Sequence, residues 1–461
     1  MKRRPLLHAL AVAVSAFAIP LVASAQGSSL ARFIRRTRLD NGLDVIVVEN
    51  TVVPLATVLI AVRNGAFTQD SAEDGLAHLY EHILFRSYHG NPTAFGAEAS
   101  RLGGRWNGGT SDEVVFYFVV VPSKHVDGAI KLMARLVQDT RFSKGDLKDE
   151  RPVVLNELAR HEFDPEEELQ RHVARMLWGS SWSRKDVLGD STSLAGITPE
   201  HLKATYARYY VPNNAALIVT GDVTTERVVA QAQHEFRAWQ AGPDPFADRP
   251  IPPVATHKAS TALLFAHDVS NVTIRVALQG PSVGADTAAT YAADVLFDIL
   301  NEPGSAFQRR LVDNGPFQSV HGSYLTLDHT GPIEIVGETT PEQAWPALVA
   351  LLGELDSLPS LEGIDEEDLE FAKQRRHVQR ALTLERAAML APDLAFWWSS
   401  AGMDYFLSYD DRMAARSIAD LRRFARDYIA SRARVIGVLA PPDVTQKFAG
   451  WLRPTTQAHT P

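Results

Sequence analysis

The sequence predicts an α+β fold built from two homologous α/β-sandwich domains related by internal duplication. The apolar strand at 57–65 is matched at 272–280, and Leu202 is matched by Leu421 at nearly the same offset along the chain. Repeated anchors in the same order indicate duplication, although any two amphipathic helix-to-strand units resemble each other. Hairpins mixed with helices favour a mixed, largely antiparallel sheet with helices packed on it over a strictly alternating parallel fold.

The composition is that of a folded globular protein with two or three domains. Of the 461 residues, 45% are hydrophobic and 22% are charged, and a domain typically contains roughly 150 residues. A formal charge of −9 argues against a protein that binds nucleic acid or anionic membranes. Because cysteine is absent, the sequence excludes disulfides, thiol nucleophiles and cysteine-based metal clusters. Any metal must therefore be bound by His, Asp and Glu.

The first 25 residues have the pattern of a secretory signal peptide. Basic residues at 2–4 precede an apolar run at 6–22, and small residues predict cleavage after Ala25. A transmembrane anchor is the alternative, but Pro20 interrupts the run, and no other segment approaches the ~20 apolar residues that a span needs. We therefore expect an exported protein without a membrane span after processing, which is periplasmic if the source is a Gram-negative bacterium.

A proline-rich segment divides the rest of the chain. Five prolines fall within the twelve residues that follow Ala241, a composition that stiffens an extended linker and disfavours helix and central strand. The predicted organisation is a signal peptide at 1–25, an N-terminal domain at 26–241, a linker at 242–256, a C-terminal domain at 257–452 and a tail at 453–461.

Local patterns assign the elements of the first half in order. An Asn41-Gly42 turn between apolar runs predicts a hairpin, and the run at 57–65 predicts a buried strand. Ser71, with an acid three residues later, predicts the cap of a helix that extends to Phe85. Further helices are expected at 95–104, 125–139 and 155–178, and two strands joined by a turn are expected within 105–121.

The helix predicted after Ser71 contains the pattern H-x-x-E-H. His78 and His82 are four residues apart, so both imidazoles lie on one helical face and can bind the same ion, with Glu81 beside that face. Catalytic zinc commonly has three protein ligands and a water, so one acidic or imidazole ligand remains to be found. The pattern alone is not decisive, and a structural role for each histidine is the alternative.

The sequence around this pattern resembles the pitrilysin/insulinase family of zinc metallopeptidases. LDNGLDVIVVEN, TVLIAVRNGAF and GLAH precede it, and NGGTSDEVVFYFVVV and ERPVVLNEL follow it. The resemblance covers most of 37–224 and, less sharply, 270–440. It implies that the N-terminal domain is the catalytic metallopeptidase domain and that the C-terminal domain is a non-catalytic copy.

The resemblance also implies roles for individual residues. His78, His82 and Glu157 match the zinc ligands of the family, and Glu81 matches the base that deprotonates water. Two imidazoles and one carboxylate leave a zinc ion with net positive charge, which suits the hydrolysis of a peptide bond.

Two further positions are carried over from the family. Glu150 matches a supporting acidic catalytic position, but Pro152, which lies between it and Glu157, leaves open whether Glu150 faces the site or is a solvated acid. Asn107 matches an edge-strand position that binds an extended substrate backbone. Gly108 departs from the alanine of the family, and a simple Asn107-Gly108 hairpin turn is the alternative.

The second half contains no copy of the metal pattern. When the first half is slid onto the second at close to the same offset, Asp294, Phe297 and Asp298 fall opposite the three residues of the H-x-x-E-H pattern. Many family members also carry an Arg and a Tyr, seven residues apart, that steady the carbonyl of the scissile bond. The matching positions here are Leu311 and Gln318, so the resemblance implies an incomplete site that a second family chain would complete.

Together these observations predict a zinc endopeptidase that acts on unfolded or short peptides, with one Zn²⁺ per chain. A hetero-dimer with a non-catalytic family chain is favoured, and a homodimer is the alternative. The second hypothesis is a non-catalytic binding or scaffold subunit of the same fold. The intact set of three ligands and a base argues against a scaffold, which would have no use for it.

Overall fold

The computed structural model describes residues 33–449 except 386 and 431. The predicted signal peptide at 1–25 and the tail at 453–461 lie outside these residues. Among the helices that are described, none is both long and apolar enough to cross a membrane. Two mixed sheets, one in each half, form the centre of the molecule.

The first half forms a six-stranded sheet. Its strands are β1 Ile34–Arg38, β2 Asp44–Glu49, β3 Leu55–Val62, β4 Arg105–Thr110, β5 Val115–Pro122 and β6 Ala215–Gly221. Their spatial order is β1-β2-β6-β3-β5-β4, with β2 and β6 parallel and all other neighbours antiparallel. The predicted Asn41-Gly42 hairpin is confirmed, because Gly42 has a φ of 90° and the Asn41 side chain accepts a hydrogen bond from the Leu43 amide.

The helices of the first half pack around this sheet. They are α1 Leu76–Arg86, α2 Ala94–Arg101, α3 Val126–Gln138, α4 Lys144–Glu162, α5 Pro165–Trp178, α6 Ser191–Gly196, α7 Pro199–Tyr209 and α8 Thr225–Glu235. The helix start predicted at Ser71 is wrong. The Asp70 side chain accepts a hydrogen bond from the Ala72 amide and holds this segment in a turn, and α1 begins only after Gly75, whose φ is 82°. The segment predicted as one helix at 155–178 is interrupted between α4 and α5.

Within the described residues, the second half repeats the sheet of the first without a counterpart of β1. Its strands are β7 Thr261–Ala266, β8 Val272–Gln279, β9 Phe317–Tyr324, β10 Pro332–Thr339 and β11 Val435–Ala440. The order β7-β11-β8-β10-β9 has the same parallel and antiparallel pairs as β2-β6-β3-β5-β4. Its helices are α9 Val283–Leu300, α10 Ala306–Gln308, α11 Ala344–Ser357, α12 Glu366–Glu385, α13 Ala387–Ser400, α14 Met403–Ala414, α15 Ile418–Phe424 and α16 Pro442–Ala449.

The strand register supports the duplication and corrects one match. Val58 pairs with Val219 in the first sheet, and Ile274 pairs with Val438 in the second. All four side chains are buried in the main core of their half. The last strands of the two halves are therefore offset as predicted, but Val58 corresponds to Ile274 and not to Thr273, its match in the sequence comparison. A one-residue error in a strand exchanges its buried and outward faces.

Each half also covers one face of the other half's sheet. Helix α13 packs on β3 and β6, where Leu394 and Trp398 are buried. Helix α5 packs on β8 and β11, and a Cβ placed on Gly437 would come within 2.4 Å of the Val173 side chain. The two halves therefore share two apolar layers.

Candidate metal centre

Helices α1 and α4 bring the three predicted ligands together. Glu157 Oε2 lies 3.6 Å from His82 Nε2 and 3.9 Å from His78 Nε2. One donor atom from each of the three residues lies within 4.8 Å of the others. No second group of this kind occurs in the part of the chain that the structure describes.

This donor set fits a zinc ion. At metal–ligand distances of about 2.1 Å, two ligands of a tetrahedral ion lie roughly 3.4 Å apart, which is close to the two spacings from Glu157 to the histidines. Burial and the neighbouring His82 lower the pKa of His78 to about 4. The His78 imidazole is therefore neutral near pH 7 and keeps the lone pair that a metal requires.

Glu150 supports the second imidazole. Its Oε1 lies 3.0 Å from His82 Nδ1, and its Oε2 lies 3.4 Å from Arg86 Nε. Helix α4 continues through Pro152, so Glu150 stays on the helical face that points toward α1. A carboxylate on the second ring nitrogen commonly orients a histidine ligand. Burial lowers the pKa of His82, but the hydrogen bond with Glu150 and the surrounding carboxylates outweigh burial and raise it.

The Glu81 carboxylate lies between α1 and the edge strand β4. The Thr110 hydroxyl donates a 2.7 Å hydrogen bond to Glu81 Oε2. A Cβ placed on Gly108 would come within 2.7 Å of Glu81 Oε1, so the absence of a side chain at this position makes room for the carboxylate. Burial raises the pKa of Glu81, and the hydrogen bond from Thr110 opposes this effect.

Asn107 lies inside β4, so the alternative of an Asn107-Gly108 turn is wrong. The turn follows the strand, where the Ser111 amide bonds to the Val114 carbonyl. β4 is an edge strand of the sheet. Trp106 packs on Phe85 of α1, and strand alternation therefore directs the exposed Asn107 side chain to the opposite face. The structure places Asn107 at the sheet edge but not against Glu81.

Thr110 was not among the residues predicted for the site. The alternation of side chains along a strand places 106, 108 and 110 on one face, which is a signal that the sequence contains. That signal identifies Thr110 only once β4 is known to lie beside α1, and this neighbourhood is a property of the tertiary fold.

Neither position that corresponds to the Arg and Tyr of the family supplies a guanidinium or a phenol hydroxyl in this chain. Leu311 is 1% exposed and packs in the core of the second half. Gln318 is exposed on β9. The neighbouring Arg310 forms a bidentate ion pair with Glu354.

The counterpart of the metal cluster in the second half is an ion-pair network. Asp294 and Asp298 on α9 occupy the positions of the two histidines. Arg376 on α12 lies as many residues after Glu157 as Val438 of β11 lies after Val219 of β6. Arg376 Nη2 donates to Asp298 Oδ1 at 2.8 Å, and the Tyr409 hydroxyl donates to Asp294 Oδ2 at 2.5 Å. The second half thus holds a guanidinium between two carboxylates at the place where the first half has two imidazoles and a carboxylate.

Loss of this guanidinium should destabilise the protein. Arg376→Met leaves two mostly buried carboxylates facing each other, and we expect the free energy of unfolding in urea to fall by roughly 3 kcal/mol. The control is Arg227→Met, because the Arg227–Asp127 pair is 45% and 46% exposed and should contribute less than about 1 kcal/mol. Equal losses in the two variants would contradict the assignment.

Comparisons with known proteins agree with the geometry of both halves. The model described as insulinase (peptidase family M16) matches residues 44–190, and the model of the peptidase M16 inactive domain matches 196–376. A relative from Rickettsia felis, named as an uncharacterized zinc protease, is 25% identical over 207 residues, which cover 45% of this chain and 50% of the relative.

Two further comparisons extend over most of the chain. A relative of the same description from Streptomyces coelicolor is 24% identical over 417 residues, covering 88% of this chain and 90% of the relative. The crystal structure of a protease from Helicobacter pylori superimposes with a TM-score of 0.77 at 20% identity, covering 88% of this chain and 99% of that one. The two-sheet fold is therefore shared with a solved structure.

Proposed function

Because the chain belongs to the insulinase family of peptidases, we propose that it is a zinc-dependent endopeptidase that cleaves unfolded or short peptides. The observation that carries the proposal is the convergence of His78, His82 and Glu157, with the Glu81 carboxylate held beside them. A binding or scaffold subunit would need neither this ligand set nor a half-buried acid next to it.

Each residue of the site has a defined role in this proposal. His78, His82 and Glu157 would hold the ion, and Glu150 would orient the His82 ring through Nδ1. Zinc bound in such a site supplies a Lewis acid that polarises a peptide carbonyl and makes water more acidic. Glu81 Oε1, the oxygen that does not bond to Thr110, can accept a proton from water and pass it to the leaving nitrogen.

The edge strand β4 would bind the substrate. An edge strand presents unpaired amides and carbonyls that can pair with an extended peptide, and Asn107 lies in the middle of this edge. Since pairing of this kind requires an extended backbone, it favours unfolded or short peptides over folded proteins.

We further propose that a second chain of the family completes the site. A hetero-dimer with a non-catalytic chain fits best, and a homodimer is the alternative. Support comes from Leu311, which is buried and apolar, and from Gln318, which cannot supply the charge of an arginine or the hydroxyl of a tyrosine.

Metal removal tests the proposed reaction. Chelation should abolish cleavage of an unstructured peptide, and one equivalent of zinc per chain should restore it, while the circular dichroism of the protein stays unchanged. The assay needs two arms, one with the chain alone and one with a co-purifying family chain, and we expect strong cleavage in the second arm. Cleavage that survives chelation, or binding without cleavage in both arms, would refute the proposal, and the latter would favour the scaffold alternative.

A further inference from the structure

We infer that the C-terminal half positions the base of the first half through two residues, Thr110 and Glu113. Thr110 orients the Glu81 carboxylate, and Glu113 fastens the hairpin that carries Thr110 to the second half. This inference rests on the proposed peptidase function. Thr110 and Glu113 are positioning residues, since each acts through Glu81.

The contact between Thr110 and Glu81 fixes one carboxylate oxygen. The 2.7 Å hydrogen bond holds Oε2 against β4, and the close approach to Gly108 confines Oε1. With one oxygen engaged, the carboxylate has a defined rotation about its long axis. The other oxygen is therefore oriented before a substrate arrives.

The second half shows what happens to this arrangement when the base is absent. Gly108 pairs with Tyr117, and its counterpart Gly322 pairs with Ile335 at the same place in the second sheet. A Cβ on Gly322 would come within 2.7 Å of Phe297, which occupies the position of Glu81. The glycine slot is thus common to both halves, but the counterpart of Thr110 is Tyr324, whose hydroxyl donates to the Pro281 carbonyl and not toward Phe297.

Within the first half, the turn that follows Thr110 is held by the loop at 65–67. The amides of Ala66 and Phe67 donate to the carbonyls of Ser111 and Asp112. A Cβ on Gly65 would come within 2.5 Å of the Ser111 carbonyl oxygen, so the backbone of this loop lies directly against the turn. Thr110, as the last residue of β4, has little freedom to move independently of the turn.

Glu113 connects this turn to the second half. Its side chain is 2% exposed, and its carboxylate accepts hydrogen bonds from the amides of Asp328 and His329 at 2.9 and 2.8 Å and lies 2.9 Å from His329 Nδ1. The Ser399 hydroxyl donates to the Glu113 carbonyl. Hydrogen bonds to a buried carboxylate are among the stronger ones, so the turn is bound to two separate elements of the second half.

These contacts form a continuous connection from Glu81 through Thr110 and the turn to Glu113 and the loop between β9 and β10. Through this connection the C-terminal half, which lacks the metal cluster, would contribute to the reaction. A misplacement of about 1 Å in a reacting group can reduce a rate roughly 100-fold, so positional support of the base has a measurable value.

The first test removes the Thr110 hydroxyl. Thr110→Val should lower kcat about 10- to 100-fold, with KM and zinc content unchanged, and Thr110→Ser should retain most of the activity. The matched control is Thr261→Val on the edge strand β7, because the Thr261 hydroxyl has no hydrogen-bond partner among the described residues. A crystal structure of metal-free Thr110→Val should show the Glu81 carboxylate displaced from β4.

The second test weakens the connection between the halves. Glu113→Gln should accelerate hydrogen exchange at the amides of Ser111, Asp328 and His329 and should lower kcat about 10-fold. The double variant with Thr110→Val should lose little more kcat than the more affected single variant, since both substitutions act through the Glu81 carboxylate.

The outcomes separate this inference from the proposed function. If the wild-type protein cleaves with zinc but Thr110→Val is equally active, the inference is wrong and the function stands. If no arrangement of chains cleaves, the proposed function is wrong. In that case, unchanged exchange in Glu113→Gln and an unmoved Glu81 in Thr110→Val would also overturn the positioning role.

Discussion

Glu81→Gln should abolish turnover while the protein retains its zinc. The amide has the shape of the carboxylate and can still accept the Thr110 hydrogen bond, but it cannot take a proton from water. Loss of a general base typically costs about 10²- to 10⁴-fold in rate. Zinc content measured by mass spectrometry should stay at one ion per chain, because Glu81 is not among the clustered donors.

The matched control for this substitution is Glu98→Gln. Glu98 also accepts one hydroxyl hydrogen bond, from Tyr88 at 3.0 Å, but it lies on α2 and belongs to neither the donor cluster nor β4. We expect wild-type kcat for the control. Full turnover in Glu81→Gln would exclude Glu81 as the base.

His82→Ala should abolish both zinc binding and turnover. The substitution removes one of three donors and leaves Glu150 without its imidazole partner. Since the loss of an outer-shell partner alone costs roughly 10- to 100-fold in metal affinity, the loss of a ligand should exceed that range. Isothermal titration of the metal-free protein with zinc measures the effect.

The control for the ligand assignment is His172→Ala on α5. The His172 ring bonds to the Glu168 carbonyl within its own helix and is exposed, so zinc affinity should be unchanged. Full zinc occupancy in His82→Ala would contradict the assignment.

The sequence predicts the parts of the site that depend on local spacing. Two histidines four residues apart on a helix define their shared face whatever surrounds them, but Glu157 came only from the family resemblance, because it lies on a different helix, far from His82 along the chain. Arg376 and Thr110 were missed for the same reason. Each meets its partner only after two elements pack together, and no local periodicity encodes that meeting.

The same distinction between local and tertiary features applies to the fold. The hairpin at Asn41-Gly42 follows from a local turn pattern, in which Gly42 and not Asn41 takes the positive φ, and it is confirmed by the pairing of β1 with β2. The predicted cap at Ser71 was wrong because the segment forms a turn in which the Asp70 side chain accepts from the Ala72 amide, and α1 begins only after Gly75. The covering of β3 and β6 by α13 involves side chains such as Leu59 and Leu394, whose association depends on the complete tertiary structure.

The reciprocal placement of α5 and α13 means that the proline-rich linker is not a point at which the polypeptide can be divided. An isolated 26–241 fragment would leave Ile46, Leu59 and Ile218 open to water on an uncovered sheet face, and contiguous apolar surface of this kind promotes aggregation. The complementary fragment would lack α5 over Leu439. Stable folding therefore requires both halves, because each half covers an apolar sheet face of the other that would otherwise promote self-association.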